Sequence, residues 1–255
     1  MKKTMAVMLV ISLVSICILC AAEDLSAMSI DELTVRRQEL IDELTQVNSL
    51  RGSMIRQQVE EGVVPEVALG KIVDLFPDEE FAKIVRDECG KFSIEQPVTQ
   101  ADLDRVKYPS LYSAEIHDLT GIGLLRNLKS IDVGSHYDGP FPADLRNCKS
   151  LEYLSMVFNP NIIEIPDWIG ELSMLHTLIL HDNGITSLPD SICDLMNLEY
   201  LYVGSNKSLA ALPSNIGNLV NLKELSIQNT AISSLPDSIW NLQLSKLDMS
   251  GISIR

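Results

Sequence analysis

A leucine period governs the second half of this 255-residue chain and leaves it few folds to choose from. Aligned on leucines, units begin at Leu128, Leu151, Leu175, Leu198, Leu222 and Leu244, spaced 22 to 24 residues apart. The clearest unit, 175–197, reads LHTLILHDNGITSLPDSICDLMN. Its opening L-x-x-L-x-L predicts a strand whose alternate side chains enter a core. Leu178, Leu180, Ile185, Leu188, Ile192 and Leu195 then line the inside of one coil. No single coil can enclose that face, so neighbours must stack. The stacked strands should form a parallel sheet on one side, with proline-containing turns and short helical pieces on the other. Asn159, Asn183 and Asn206 recur at the ninth place, where an amide can satisfy backbone groups of adjacent coils. His136 and Thr230 interrupt this ladder in the outer units. The extra residue of the longer units falls beside Pro160 and Lys207, in the turn.

The same register disposes of several tempting sites. Cys148 takes a place held by Leu172, Leu195 and Leu219, so it is expected in the core. Cys193 follows the inward Ile192 and is expected on the outer side. Two coils separate the two thiols, roughly 10 Å at strand spacing, which is beyond disulfide reach. Asn206-Lys207-Ser208 is formally a glycosylation acceptor, but its asparagine belongs to the ladder and reads as structural.

The pattern resembles leucine-rich repeats of the short bacterial and plant-related type. That implies an α/β solenoid: a leucine-rich repeat horseshoe with a parallel sheet on its concave face, preceded by an α-helical cap segment. Ahead of the repeats stand Phe76-Pro77-Asp78, an amphipathic helical run, Val98-Thr99-Gln100 with Leu103, and then Leu119, Gly121, Ile122, Leu125, Asn127 and Leu128. This order resembles the helical cap that opens the internalin group of bacterial surface proteins. Thr99 is expected to cap the short helix that contains Asp102 and Leu103. The cap would hide the open end of the first coil, with its apolar surface and unpaired strand groups. The resemblance implies cap, solenoid and export. The host-receptor role of some internalins is not carried over, because no immunoglobulin-like or wall-anchoring segment accompanies the repeats here.

At the other end, Lys2 and Lys3 precede an apolar stretch from Met5 to Leu19, and Cys20-Ala21-Ala22 offers small residues before Glu23. This is the layout of a secretory signal peptide, with cleavage after Ala22. The alternative is an uncleaved N-terminal anchor, although the stretch is shorter than the roughly 20 residues that span a bilayer. Ser29 to Glu32 looks like a capping box opening a helix to about Glu61, with Leu33, Leu40, Val47 and Met54 at heptad spacing. Self-association through that stripe, local packing and a mobile stalk are all open. The chain thus divides into a signal peptide at 1–22, a helical segment at 23–73, the cap at 74–127 and about six repeats at 128–255.

Formal charge is −15 with a pI near 4.6, a field that repels phosphate backbones and argues against nucleic acid. Three cysteines remain after the signal, too few for a disulfide scaffold. No catalytic motif is present: no G-x-S-x-G, H-E-x-x-H, C-x-x-C, phosphate loop or calcium loop. Neither enzyme activity, a cofactor nor a metal is expected.

What remains is the outward face of the sheet, at places 3, 5, 7 and 8 of each unit. Tyr153, Val157, Phe158, Ile179, His181, Tyr200 and Tyr202 gather there in the middle coils, with polar residues around them. An aromatic centre inside a polar rim is the composition of a protein-binding hot spot. The expected function is a secreted or surface-exposed module that binds a protein ligand through this face. The rival is a self-assembling surface protein, joined through the N-terminal helix or through the terminal strand near Leu247 and Met249.

Overall fold

The computed structural model describes residues 67–254. They lie in a unit spanning Glu66–Arg255. The signal peptide, the heptad stripe and most of segment 23–73 fall outside the described residues.

Six parallel strands stack in sequence order: β3 Ser130–Val133, β4 Tyr153–Met156, β5 Thr177–Ile179, β6 Tyr200–Tyr202, β7 Glu224–Ser226 and β8 Lys246–Asp248. Ser130, Tyr153, Thr177, Tyr200, Glu224 and Lys246 stand abreast, as the leucine alignment requires. One device repeats between coils. The carbonyl of Glu152 accepts from the N–H groups of His176 and Thr177, and those of His176, Glu199 and Lys223 repeat this one coil further on each time.

The other side of each coil is a 3-10 turn, such as Asp167–Glu171, Asp190–Asp194 and Asp237–Asn241, each entered from a proline. Proline suits that entry because its missing N–H would have no partner there. A full α-helix is at least about 10 Å across, twice the strand spacing of about 4.8 Å. The tighter turn lets this side stack at nearly the same pitch as the sheet. Gly170 and Gly217 show how close the approach is, since a Cβ at either would fall on the carbonyl oxygen of Ser191 or Ser238 in the next coil. Cys193 occupies the equivalent place and is 1% exposed. The expectation that it lies on the outer side is therefore corrected: the following coil covers it. Cys148 is in the core as expected. Burial pushes both thiols up to about 12, so neither is a nucleophile at neutral pH.

The asparagine ladder spans coils. Asn183 donates to the carbonyls of Met156 and Leu180, and its Oδ1 accepts from the Asn159 N–H. Asn206 donates to Leu180 and Val203 carbonyls and accepts from the Ile185 N–H. Where Thr230 replaces asparagine, its hydroxyl keeps only the local bond, to the Ile227 carbonyl at 2.8 Å. At the other break His136 is exposed, and the adjacent Tyr137 is buried instead, donating to the Pro140 carbonyl. A second ladder precedes each unit: Asn127, Asn197 and Asn221 donate to the carbonyls of Asp104, Ser173 and Met196.

That second ladder exposes a coil hidden in the cap. Val106, Pro109, Leu111, Ile116, Leu119, Ile122 and Leu125 are all buried at repeat-like spacing. The Lys107 carbonyl accepts from Lys129 and Ser130, the same double bond the later coils make. Solenoid geometry therefore starts near Val106, within the segment read as cap, although Pro109 sits where a strand residue would otherwise donate.

Before it, β1 Gly70–Lys71 pairs antiparallel with β2 Pro97–Val98, enclosing α1 Ile72–Leu75 and α2 Glu79–Glu88. Asp78 caps α2 through the Phe81 N–H, and its other oxygen accepts from His117 and Asp118 in the first coil. Phe76 and Phe81 meet edge-to-face at 5.2 Å in the core. Thr99 and Asp102 form a reciprocal capping box on α3 Gln100–Leu103, as expected for Thr99. Burial pushes the Asp102 carboxyl up. Bonds from the Thr99 N–H, Lys91 and the Thr99 hydroxyl outweigh this and hold it below the ordinary carboxylate range.

Candidate functional site

The seven residues singled out on the sheet face come from three adjacent coils. Strand register sets Tyr153, Thr177 and Tyr200 in one row across successive strands, and Ser155, Ile179 and Tyr202 in the next. His181 ends its coil's passage along the face. Its carbonyl accepts from the Phe158 N–H at 3.3 Å, so those two lie next to each other. The rings converge in the centre: His181 stacks on Tyr202 at 5.6 Å and 19°, and Tyr200 tilts against Tyr202 at 6.4 Å. Gly204 leaves room for this packing, because a Cβ there would be 2.7 Å from Gln228 Cγ and 3.4 Å from His181 Nδ1. Tyr153 stands apart, two strands from Tyr200.

Six of the seven are half-buried, and Phe158 is exposed, at 54%. Among the described residues Phe158 is also the one bulky side chain in a left-handed backbone, at φ 60°. That conformation belongs to the eighth place of the coil: Asp182, Ser205 and Asn229 share it at φ 52° to 58°, and Gly251 takes it at 74°. Asparagine, aspartate and glycine suit it; phenylalanine is an outlier there. An exposed aromatic held in a strained backbone favours a role outside the fold.

Two outward places of this face are covered rather than open. Ser155 and Ser226 occupy the fifth, outward place, yet are 3% and 5% exposed. At a strand spacing of about 4.8 Å, larger side chains on neighbouring strands shield a small one between them.

The electrostatics were only partly legible beforehand. Burial lowers His181, opposed by the carboxylates of Asp182 and Asp248, and the net shift is downward. Burial, reinforced by Glu224, pushes the Tyr202 phenol up to about 12, and its hydroxyl donates to Glu224 Oε2 at 2.7 Å. Asp132 Oδ1, His181 Nδ1 and Ser226 Oγ are buried on this face without a hydrogen-bond partner among the described residues. The bond from the Tyr202 hydroxyl brings Glu224 into the site, and Asp248 enters it through its charge on His181. No group of three or more metal-ligating side chains occurs among the described residues.

A family profile described as a leucine-rich repeat region matches residues 142–227, and a second leucine-rich repeat profile matches 221–242. A third, described as the N terminus of bacterial adhesion/invasion proteins, matches 58–104 and ends just before the hidden coil at Val106. The chain is an internalin-like leucine-rich repeat protein. Two solved internalins from Listeria monocytogenes share its fold. Against internalin F the identity is 21% and the TM-score 0.56, covering 74% of this internalin-like chain and 60% of the other. Against internalin C2 the values are 22% and 0.59, covering 75% and 92%. This internalin-like chain therefore spans less than two thirds of internalin F. No curated protein sequence matched. No helix among the described residues is long and apolar enough to cross a membrane.

Proposed function

We propose that this internalin-like protein is exported and binds another protein through the concave face of its repeats. The observation that carries the reading is the joined cluster of Tyr200, Tyr202 and His181 with Phe158 at its edge. These are large, pre-positioned rings in a sheet whose backbone is already fixed, so docking a partner orders little further. The adhesion/invasion description of the N-terminal profile, together with the signal-like residues 1–22, supports export to the surface or medium.

The test compares wild type with Phe158→Ser/Tyr200→Ser/Tyr202→Ser. Proteins retained by the wild type are identified by mass spectrometry, produced pure and titrated calorimetrically. Hot-spot side chains are each worth about 2 kcal/mol or more, so the triple variant should bind at least about a hundredfold more weakly while staying folded by circular dichroism. Equal affinity in the two proteins overturns the reading.

Self-assembly is favoured by one observation, the position of β8 at the sheet edge with Leu247 and Met249 only half-buried. A concentration-dependent mass by light scattering, abolished by Leu247→Lys, would support that second reading, and a monomer at every concentration would remove it.

A further inference from the structure

Several acidic side chains off the sheet face are paired: Glu152 with Lys129, Glu171 with Arg146 and Lys149, Glu199 with Lys223, and Asp102 with Lys91. On the face, Asp132, Asp182, Glu224 and Asp248 form no ion pair among the described residues. Three of these four flank the aromatic cluster. Glu224 accepts the Tyr202 hydroxyl, while Asp182 and Asp248 both act on the His181 ring. Asp248 uses one oxygen, Oδ1, for the N–H and hydroxyl of Ser250, which leaves Oδ2 without a described bond. Lys246 is the one lysine or arginine at these places; it stands opposite Glu224 in the strand register and its charge acts on Asp248, but it is exposed and forms an ion pair with neither among the described residues.

A second observation falls in the middle of them. Ser226 stands between Tyr202 and Asp248 in the strand register and two residues from Glu224 on its own strand. It is 5% exposed, and its Oγ has no hydrogen-bond partner. A buried hydroxyl is ordinarily satisfied, so this one is a spare acceptor that an outside donor reaches once the side chains covering it shift.

We infer that the face binds its partner through a cationic side chain, an arginine of the partner, laid against Tyr202 with its guanidinium between Glu224 and Asp248. This rests on the concave-face reading above and names the chemistry it selects. Arginine suits the place better than lysine for physical reasons. A planar guanidinium stacks on an aromatic ring while its edge N–H groups donate to carboxylates and a hydroxyl at once. Losing water from two unpaired carboxylates is costly unless a cation replaces it, which selects against neutral and acidic partners.

The probe is a nine-residue peptide of alternating serine and arginine, with a second peptide carrying citrulline, the neutral shape-mimic, at every arginine. Binding to the full chain is followed by NMR through the His181 ring signals and by calorimetry. The arginine peptide should shift the His181 signals saturably, and the citrulline peptide should not. Glu224→Gln/Asp248→Asn should weaken binding at least about tenfold. Asp167→Asn/Asp190→Asn makes the same change in net charge on the opposite side and should leave it within about twofold. Tyr202→Leu should also weaken binding, with its fold checked by circular dichroism. Equal weakening by both charge variants would mean attraction to the overall negative charge alone and would overturn the inference, as would equal binding of the citrulline peptide. A natural partner lost by the tyrosine variant but kept by Glu224→Gln/Asp248→Asn would overturn this inference and leave the concave-face reading standing.

Discussion

The two ends of the repeat array are built from one sequence pattern and differ in burial. At the start, Val106, Leu111, Leu119 and Leu125 of the strandless coil are at most 2% exposed, with the cap on one side and β3 on the other. At the finish, Leu242, Leu244 and Met249, which match Leu125, Val106 and Leu111, and the inward Leu247 are only half-buried. A leucine at a consensus place is therefore not core by virtue of the place. It becomes core when coils lie on both sides, because each coil supplies only part of the enclosure.

The contrast is broken most directly by matched truncations. Leu111→Ala should cost about 2–5 kcal/mol, the usual range for a fully buried leucine. Leu247→Ala should cost clearly less, since part of that side chain already meets solvent. Urea titration of both variants checks this, and equal losses would mean that the last coil is covered in solution. Next in size is the ladder. Asn206→Ala strands the Ile185 N–H and the Val203 carbonyl, at about 1–3 kcal/mol for each buried group left unpaired, while the Leu180 carbonyl keeps its bond from Asn183. Thr230→Ala, nearer the open end, loses one local bond and should cost about 1 kcal/mol.

A smaller effect separates the ends by pH. Asp102 is held below the ordinary carboxylate value, so its contribution is complete above the unfolded value of about 3.9 and is lost as pH falls through the lower folded value. Melting temperature followed downward from pH 5 should drop in wild type more steeply than in Asp102→Asn. Parallel curves would show that the capping box does not anchor the first coil. The smallest effect has the opposite sign. Phe158→Asn relieves a left-handed backbone and should raise stability by up to about 1 kcal/mol, while weakening partner binding. A loss of stability would place the Phe158 ring in the fold's own packing.

Much of this was legible in the residues. The 22-to-24-residue period located all six strands and set their register, because a parallel stack allows one alignment only. The same period carried the seven face residues, the buried Cys148 and the asparagine ladder. The hidden coil was harder to read, since Pro109 and Ala114 stand where leucine and asparagine would identify it. Cys193 was misread because in-or-out alternation along one coil says nothing about the next coil lying over it.

The sequence by itself thus determined the solenoid, its cap and which side chains share the sheet face, all of which follow from local period and spacing. Only the tertiary structure decided how exposed each of them is and which of them touch. It set the stacking of His181 on Tyr202, the burial of Ser155 and Ser226, the left-handed turn at Phe158 and the unpaired state of Glu224 and Asp248. Those properties depend on separations of a few ångströms between residues about 22 to 24 positions apart, and such separations exist only once the coils have stacked.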